Sequence, residues 1–180
     1  MIMTRAVTSQ DVSRIWQIRT DAILLGCASH YTKFECETWA DSPMPEAFTG
    51  ILLSLGAIVA VELADDPAVE QVAEGQVRCV SVIQGDTQER ILGFGFIDAA
   101  QCRLEAAFVD PEAVGMGIGK LLTIELEVQA KKAGVKELSL SSSLNAAGFY
   151  QSLGYVAGDE TCWRHPAGIE LMCIPMCKLL

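Results

Sequence analysis

The feature that most constrains the fold is a glycine-rich loop that joins a strand-like segment to a helix-like segment. The loop, VDPEAVGMGIGK at residues 109–120, alternates three glycines with apolar residues. A strand is predicted over residues 103–109 and a helix over residues 118–133, where apolar residues recur with helical spacing. The first amides of a helix lack intrahelical partners and carry partial positive charge. The loop therefore predicts a backbone cradle for an anion, formed by the amides of residues 115–120.

Two familiar phosphate-binding loops do not fit this segment. A Walker A loop needs a glycine at position 114 and a hydroxyl after the lysine, where the chain has Val114 and Leu121. A dinucleotide-binding loop matches at Gly115 and Gly117 but needs a third glycine where Lys120 stands. A tight strand-to-helix turn without a ligand is the other interpretation, although three alternating glycines exceed what such a turn requires.

A third loop pattern, Gln/Arg-x-x-Gly-x-Gly/Ala, fits better. Gly117 and Gly119 fill its last two positions, and Val114 departs from its first. A second segment, NAAGFYQSLGY at residues 145–155, is similar to the pattern Asn-x-x-Ala-x-x-Phe-Tyr-x-x-x-Gly-Phe/Tyr, approximately so in its Ala-Ala-Gly run. With both segments in place, the chain resembles the GNAT superfamily of acyl-CoA-dependent N-acyltransferases over residues 4–178.

This resemblance implies a single α+β domain over residues 1–180 with the GNAT fold: a mixed, mostly antiparallel central sheet, helices on both faces, and splayed strands around the coenzyme A site. The segment order agrees, because strands and helices do not alternate regularly and no repeat or linker divides the chain. Strands are predicted at residues 1–7, 57–63, 77–83, 91–97, 103–109, 135–140 and 168–176, and helices at 8–26, 46–55, 118–133 and 145–153. A loop is predicted at 64–75, and a hairpin from 77–83 and 91–97.

The resemblance also implies acetyl-CoA as the cofactor, with no metal. The backbone of Phe108 and Val109 is expected to pair with the pantetheine arm, across a gap from the strand at 135–140. The implied cofactor-binding residues are Phe108, Val109, Val114, Gly115, Met116, Gly117, Ile118, Gly119, Lys120, Asn145 and Tyr150. Val114 stands where a Gln or Arg would support the pyrophosphate, and valine cannot donate a hydrogen bond. Either the backbone amides suffice, or the cofactor is bound less tightly.

Acetyl transfer to an amine requires a proton to leave the amine and a proton to reach the departing thiolate. Tyr150 matches the general-acid position of the family, and the alternative is a core tyrosine with a satisfied hydroxyl. Glu105 is the candidate general base, on a strand face expected to include Arg103 and Ala107. The alternative for Glu105 is a solvated or ion-paired carboxylate. Asn145 is a cofactor contact, a helix N-cap, or both.

The acceptor pocket is implied to lie within residues 27–50 and 157–168. These segments contain His30 and His165, which could relay a proton but are interpreted as exposed loop residues. Direct attack by a primary amine in a ternary complex is expected, because no cysteine neighbours a base in sequence. The acceptor is expected to be a small molecule or a peptide. A non-catalytic acyl-CoA-binding protein and a protein N-terminal or lysine acetyltransferase are the alternatives.

Composition limits the remaining classes. The formal net charge of −10 argues against a nucleic-acid partner and is compatible with a cationic amine. The longest apolar stretch, residues 51–61, is too short to span a bilayer and no secretory signal is visible, so a cytoplasmic protein without membrane contacts is expected. Seven cysteines without a CxxC pair argue against disulfides and structural zinc. A monomer or a homodimer is expected.

Overall fold

The computed structural model describes residues 1–63 and 89–180. Its helices are α1 (Val12–Asp21), α2 (Lys33–Ala40), α3 (Phe48–Ser54), α4 (Ile118–Lys132) and α5 (Ala147–Ser152). Its strands are β1 (Ile2–Ala6), β2 (Ile58–Leu63), β3 (Glu89–Asp98), β4 (Arg103–Val109), β5 (Glu137–Ser143), β6 (Val156–Ala157), β7 (Thr161–Arg164) and β8 (Glu170–Leu179). The predicted loop at 64–75 and the predicted strand at 77–83, with its hairpin, lie outside the described residues.

The strands of the described residues form a mixed sheet in the order β1-β2-β3-β4-β5-β8-β6, with β7 also paired to β8. Neighbouring strands are antiparallel except for β4 and β5, which are parallel. The parallel contact is confined to Arg103 and Ser139. Beyond that pair β4 and β5 diverge, which leaves a gap in the middle of the sheet. The predicted α+β class, with a mostly antiparallel sheet and a splayed pair, is confirmed.

Helices cover both faces of this sheet. On one face, α4 buries Leu122 and Leu126 against a core that includes Leu92 of β3. On the other face, α1 and α3 pack Ile15 and Leu52 into a second core around the same strand. Each such fully buried side chain contributes about 1.5–3 kcal/mol through removal of apolar surface from water.

Two glycines of β3 allow α4 to lie close to the sheet. A Cβ at Gly95 would be 2.8 Å from Leu126 Cδ1 and 2.8 Å from the Ala106 carbonyl oxygen. A Cβ at Gly93 would be 3.1 Å from Leu122 Cδ1. The missing side chains are therefore filled by leucines of α4, which fixes the height of that helix over β3 and β4.

Some local structure differs from the prediction. The helical run that begins after a Thr8–Asp11 capping box ends at Gly26 as expected, but its last turn, Ala22–Gly26, is a π-helix. The expected helix at 145–153 starts as a 3-10 turn at Leu144–Ala146. Helix α2 and strands β6 and β7 were not predicted, because they are short and have weak periodicity. Within the described residues, no helix combines the length and apolarity needed to cross a membrane.

Candidate active site

A cavity of about 1110 Å³ opens where β4 and β5 diverge. One side is formed by the glycine loop and the first turn of α4, and another by the turn before α5 together with α5 itself. The remaining wall comes from the end of α1, from α2, and from β7 and β8. Because the splayed strands form the floor, the cavity lies beside exposed strand backbone.

The loop that enters the cavity is held by Asp110, which is buried at the end of β4. Its carboxylate accepts a hydrogen bond from Arg14 of α1, and its Oδ1 accepts one from the Glu112 N–H at 3.0 Å. The Asp110 N–H donates to the Leu92 carbonyl of β3 at 2.8 Å. The start of the loop is thus fixed to a helix on one face and to a central strand.

The glycines of the loop create an open stretch of backbone. Gly115 and Gly117 adopt left-handed conformations, with φ of 87° and 83°, which side chains rarely tolerate. A Cβ at either position would meet no atom within 4 Å, so the space beside them is free. Gly117 is the N-cap of α4, and the first intrahelical bond runs from the Leu121 N–H to the Gly117 carbonyl at 3.0 Å. The preceding amides of the helix therefore have no intrahelical acceptor and can bind an anion.

Most of the loop residues predicted to bind the cofactor line the cavity. These are Val114, Gly115, Gly117, Ile118, Gly119 and Lys120. Met116 does not line it, and its N–H donates to the Ala113 carbonyl at 3.2 Å, so the structure does not bring Met116 into the site. The side chain of Val114 is 71% exposed at the cavity edge, while its N–H is directed to the Pro111 carbonyl at 3.4 Å.

Strand β4 offers free backbone groups toward the gap, but not from the residue pair that was predicted. The Phe108 carbonyl lies against Gly93 of β3, because a Cβ on that glycine would be 2.7 Å from the Phe108 oxygen. Neighbouring residues of a strand direct their polar groups to opposite edges. The groups that face the gap therefore belong to Val109 and Ala107. The backbone of Phe108 therefore faces β3 and not the gap, contrary to the expectation, and Ala107 was not anticipated. Pairing of Val109 with the pantetheine arm stays a prediction.

A β-bulge lies in the middle of β4. The pairing with β3 skips Glu105 between Leu104 and Ala106, which leaves Glu105 without a partner on that strand. Leu104 and Ala107 consequently pack into the same core under α4. The expectation that one strand face includes Arg103, Glu105 and Ala107 together is therefore wrong, because the extra residue breaks the alternation between Arg103 and Ala107.

The Glu105 carboxylate nevertheless lines the cavity. Its Oε1 lies 3.5 Å from the Nε of Arg103, whose Nη2 also donates to the Ser141 hydroxyl at 2.8 Å. The ion-paired alternative for Glu105 is thus observed. It does not exclude a role as a base, since the same carboxylate is exposed to the cavity.

Tyr150 is buried on α5 and lines the cavity. Its ring packs edge-on against Phe149 and Tyr155, at centroid distances of 5.0 and 5.5 Å. Its hydroxyl has no hydrogen-bond partner among the described residues, yet it is not sealed from solvent as the Tyr155 hydroxyl is. Burial raises the pKa of Tyr150 to about 12, so the phenol keeps its proton at neutral pH. The structure therefore presents a protonated, unpartnered hydroxyl at the cavity.

Asn145 lies in the 3-10 turn before α5 and lines the cavity. Its Oδ1 accepts a weak hydrogen bond from the Cys27 thiol at 3.5 Å. The N-cap interpretation is wrong, because Ser143 precedes the turn and Ala146 precedes α5. The amide nitrogen of Asn145 remains available to a ligand.

The two histidines have different surroundings. His30 is exposed and contacts the Ser29 hydroxyl, as expected for a loop residue. His165 is buried in the cavity wall, so its interpretation as an exposed residue is wrong. Its Nδ1 accepts from the Ala167 N–H at 3.1 Å, and its Nε2 lies 3.3 Å from the Ser42 hydroxyl. Burial and the nearby Arg19 charge lower the pKa of His165, which is therefore neutral at pH 7.

Two cysteines also reach the cavity, Cys27 and Cys173. Burial raises the pKa of the Cys27 thiol to about 12, and burial raises the pKa of Cys173 as well. Neither is a thiolate at neutral pH, and the thiolate is the nucleophilic form. The geometry offers no activated cysteine in this cavity for a covalent acyl-enzyme.

Arg19 is a charged wall residue that the sequence analysis did not assign to the site, whereas Tyr31 and Trp39 fall within residues 27–50, where the acceptor pocket was expected. Arg19 carried a readable signal, because it lies four residues after Ile15 on the apolar stripe of α1. The position of Tyr31 in the wall had no comparable local signal, because it depends on contacts with distant segments. The Tyr31 hydroxyl donates to the Met172 carbonyl at 2.6 Å and accepts from the Leu144 N–H at 3.0 Å.

Comparison with known proteins identifies the family. The acetyltransferase (GNAT) domain family matches residues 60–179. The chain belongs to this family of N-acetyltransferases, whose enzymes use acetyl-CoA as the acyl donor. No curated protein sequence matches the chain.

Solved structures agree on the fold. A GCN5-related N-acetyltransferase from Rhodopseudomonas palustris superposes with a TM-score of 0.76 at 23% identity, over 99% of this chain and 95% of its own. The phosphinothricin acetyltransferase of Sinorhizobium meliloti, solved with acetyl-CoA, gives 0.64 at 19% identity, over 99% and 88%. The PaiA N-acetyltransferase of Thermoplasma acidophilum, solved with coenzyme A, gives 0.58 at 17% identity, over 100% and 99%.

Proposed function

We propose that the protein transfers an acetyl group from acetyl-CoA to the primary amine of a small molecule or peptide, by direct attack in a ternary complex. The observation that carries this proposal is the unpartnered Tyr150 hydroxyl in the same cavity as the open glycine loop. A binding site for the diphosphate and a proton donor for the reaction are thereby combined in one space.

The described residues fit acetyl-CoA. The amides of Gly115 and of the first turn of α4 would hold the pyrophosphate, with Lys120 beside them. The free backbone groups of Ala107 and Val109 would pair with the amides of the pantetheine arm as an added strand. When bound, acetyl-CoA supplies a thioester whose carbonyl carbon forms a bond to the amine nitrogen while its C–S bond breaks, giving the N-acetyl product and free thiol.

Tyr150 is proposed as the general acid. Its Oη holds a proton at neutral pH and hydrogen-bonds the sulfur as negative charge develops there. An ordinary thiol has a pKa near 8.5, so the buried phenol is the weaker acid. Proton donation to the sulfur would leave Tyr150 as an unfavourable phenolate. The proton that the attacking amine loses to the general base restores the phenol, so the protein gains or loses no proton overall.

Glu105 is proposed to take the proton from the amine, directly or through water. Glu105 lines the cavity, and the 3.5 Å contact between its Oε1 and the Arg103 Nε leaves its side chain 35% exposed. His165 is less suited to this role, because its Nδ1 is already occupied by the Ala167 N–H.

The Tyr150→Phe variant tests this function. Loss of a general acid is expected to lower kcat by about 100-fold or more, with CoA affinity nearly unchanged. Thiol release from acetyl-CoA with a panel of amines measures the rate, and calorimetry measures the affinity.

The matched control is Tyr155→Phe, which removes a neighbouring buried hydroxyl that has no hydrogen-bond partner in the described structure. It is expected to retain wild-type turnover. Equal rates for the wild type and Tyr150→Phe would remove the acid role. If CoA binds but no amine accelerates thiol release, the non-catalytic alternative is correct. Preferential acetylation of a folded protein over free amines would instead favour the protein acetyltransferase.

A further inference from the structure

The cavity has a charge that is opposite to that of the whole chain. The sequence carries a formal net charge of −10. Among the described residues, in contrast, the cavity wall contains three cationic side chains, Arg19, Arg103 and Lys120, and a single acidic one, Glu105. Lys120 lies at the glycine loop, and Arg103 is paired with Glu105. The positive charge of Arg19 has neither such a carboxylate partner nor an assigned role.

Arg19 is buried, with 8% of its surface exposed. Its Nη2 donates to the Trp39 carbonyl at 2.9 Å and its Nη1 to the Ala40 carbonyl at 3.3 Å. Its guanidinium lies 4.4 Å above the centre of the Trp16 ring. These contacts fix the side chain firmly, because they hold the guanidinium from one edge and from one face.

No acidic residue compensates this charge within the described part of the chain. The other arginines described by the structure each lie within 4 Å of a carboxylate: Arg5, Arg14, Arg90, Arg103 and Arg164. Burial lowers the pKa of Arg19 to about 10, with no carboxylate to offset it. The guanidinium nevertheless stays protonated at neutral pH.

The two carbonyls bound by Arg19 belong to the last residues of α2, so the helix dipole offsets part of its charge. These two hydrogen bonds do not use every N–H group of the Arg19 guanidinium. The Nε–H of Arg19 has no partner in the described residues and is not among the buried unsatisfied atoms, so it keeps some solvent access, and Arg19 is a residue of the cavity wall. A fixed, buried guanidinium with a free N–H is suited to bind a carboxylate.

We infer that the acetyl acceptor is an amine that also carries a carboxylate, and that Arg19 binds this carboxylate. This inference rests on the proposed acetyl transfer and specifies the substrate class of the same cavity. Trp39, whose carbonyl Arg19 binds, lines the same cavity as Trp163 and Met172, and these residues supply apolar surface for the rest of the molecule. The acceptor is accordingly an amino-acid-like zwitterion with an apolar side chain, in place of the purely cationic amine suggested by the net charge.

A binding experiment tests this assignment without acetyl transfer. All three tryptophans contact Arg19 or line the cavity: Trp16 stacks on Arg19, while Trp39 and Trp163 are residues of the cavity wall. Their fluorescence is followed while the CoA-saturated protein is titrated with N-acetyl-L-leucine or with N-acetyl-L-leucinamide. The two probes differ only in the carboxylate. We expect the carboxylate to bind at least about 10-fold more tightly than the amide.

The Arg19→Gln variant is expected to reduce that ratio to near one. Arg164→Gln is the matched control, since Arg164 is exposed, pairs with Glu170 and does not line the cavity. It should keep the wild-type ratio. Arg19→Lys should retain part of the preference, and the thermal unfolding temperature and CoA affinity of each variant show whether it is folded. Equal binding of the two probes to the wild type, or an unchanged ratio in folded Arg19→Gln, overturns the inference.

A second measurement separates this inference from the proposed function. Free L-amino acids and their amides are compared as acetyl acceptors by thiol release. A preference for the acids that disappears in Arg19→Gln supports the inference. Acetylation of acids and amides at equal rates leaves the transferase function intact and refutes the carboxylate site. Discrimination between the binding probes without any amine-dependent thiol release supports the carboxylate site and refutes the transferase.

Discussion

At the scale of single residues, the site depends more on backbone geometry than on side-chain identity. The glycine loop presents amides because Gly115 and Gly117 adopt positive φ and leave open space beside them. Val114, exposed at the cavity edge, contributes no donor. The proposed phosphate site would therefore rely on amides and on Lys120, without a hydrogen bond from the side chain at position 114.

Val114→Gln is expected to strengthen CoA binding. A side-chain amide at the cavity edge can donate a hydrogen bond to a phosphate oxygen, worth about 1 kcal/mol or roughly fivefold in Kd. Calorimetry with CoA measures the change. The control is Val156→Gln, because Val156 is similarly exposed, at 68% against 71%, but does not line the cavity. Unchanged affinity in Val114→Gln would show that the phosphates lie beyond the reach of position 114.

At the scale of secondary-structure elements, the sequence predicted best where periodicity was strong. The bounds of β4 agree with the prediction at 103–109, and α4 differs by one residue at its end. Both elements have clear apolar patterns and flank the glycine loop, so the centre of the site could be predicted. The bulge at Glu105 could not, because it depends on how β4 pairs with β3 and not on the composition of β4.

The acceptor side of the cavity was harder to predict for a related reason. Its wall is a small core in which Tyr31 and Cys36 pack against Ile169 and Leu171, more than 100 residues away in sequence. Contacts of this kind leave no local pattern. The burial of His165 has the same origin, since its imidazole is enclosed by α2 and by the β7–β8 turn.

The packing of α4 on the sheet leads to a test of stability. Gly95→Ala would place a methyl group 2.8 Å from both Leu126 Cδ1 and the Ala106 carbonyl oxygen, closer than atoms can approach. The free energy of unfolding is expected to fall by about 1–3 kcal/mol. Chemical denaturation measures it. Gly50→Ala in α3, where a Cβ meets nothing within 4 Å, should instead be neutral or stabilising by up to about 1 kcal/mol. An unchanged stability in Gly95→Ala would mean that α4 can shift freely on the sheet.

At the scale of the whole molecule, the glycine loop joins the two cores. Asp110 connects the loop to α1 through Arg14 and to β3 through the Leu92 carbonyl, while α4 begins directly after the loop and covers the opposite face. A ligand bound at the loop thus contacts backbone that is anchored in both layers. Because such a ligand binds the folded chain and not the unfolded one, its binding energy adds to the global free energy of unfolding.

Saturation with CoA should therefore raise the thermal unfolding temperature of the wild type, by the equivalent of about 2.7 kcal/mol at 100 times Kd. Gly117→Asp is expected to abolish this shift, because it places a carboxylate beside the amides that are proposed to bind the phosphates. The control is Gly134→Asp at the other end of α4, which has nearly the same φ, 85° against 83°, and equally open surroundings. Both variants carry the same left-handed strain. The added carboxylate is favourable at the N-terminus of α4 and unfavourable at its C-terminus, so unliganded Gly134→Asp should be at least as destabilised as Gly117→Asp. The CoA-dependent shift should persist in Gly134→Asp. If it also survives in Gly117→Asp, the phosphate site lies away from the glycine loop.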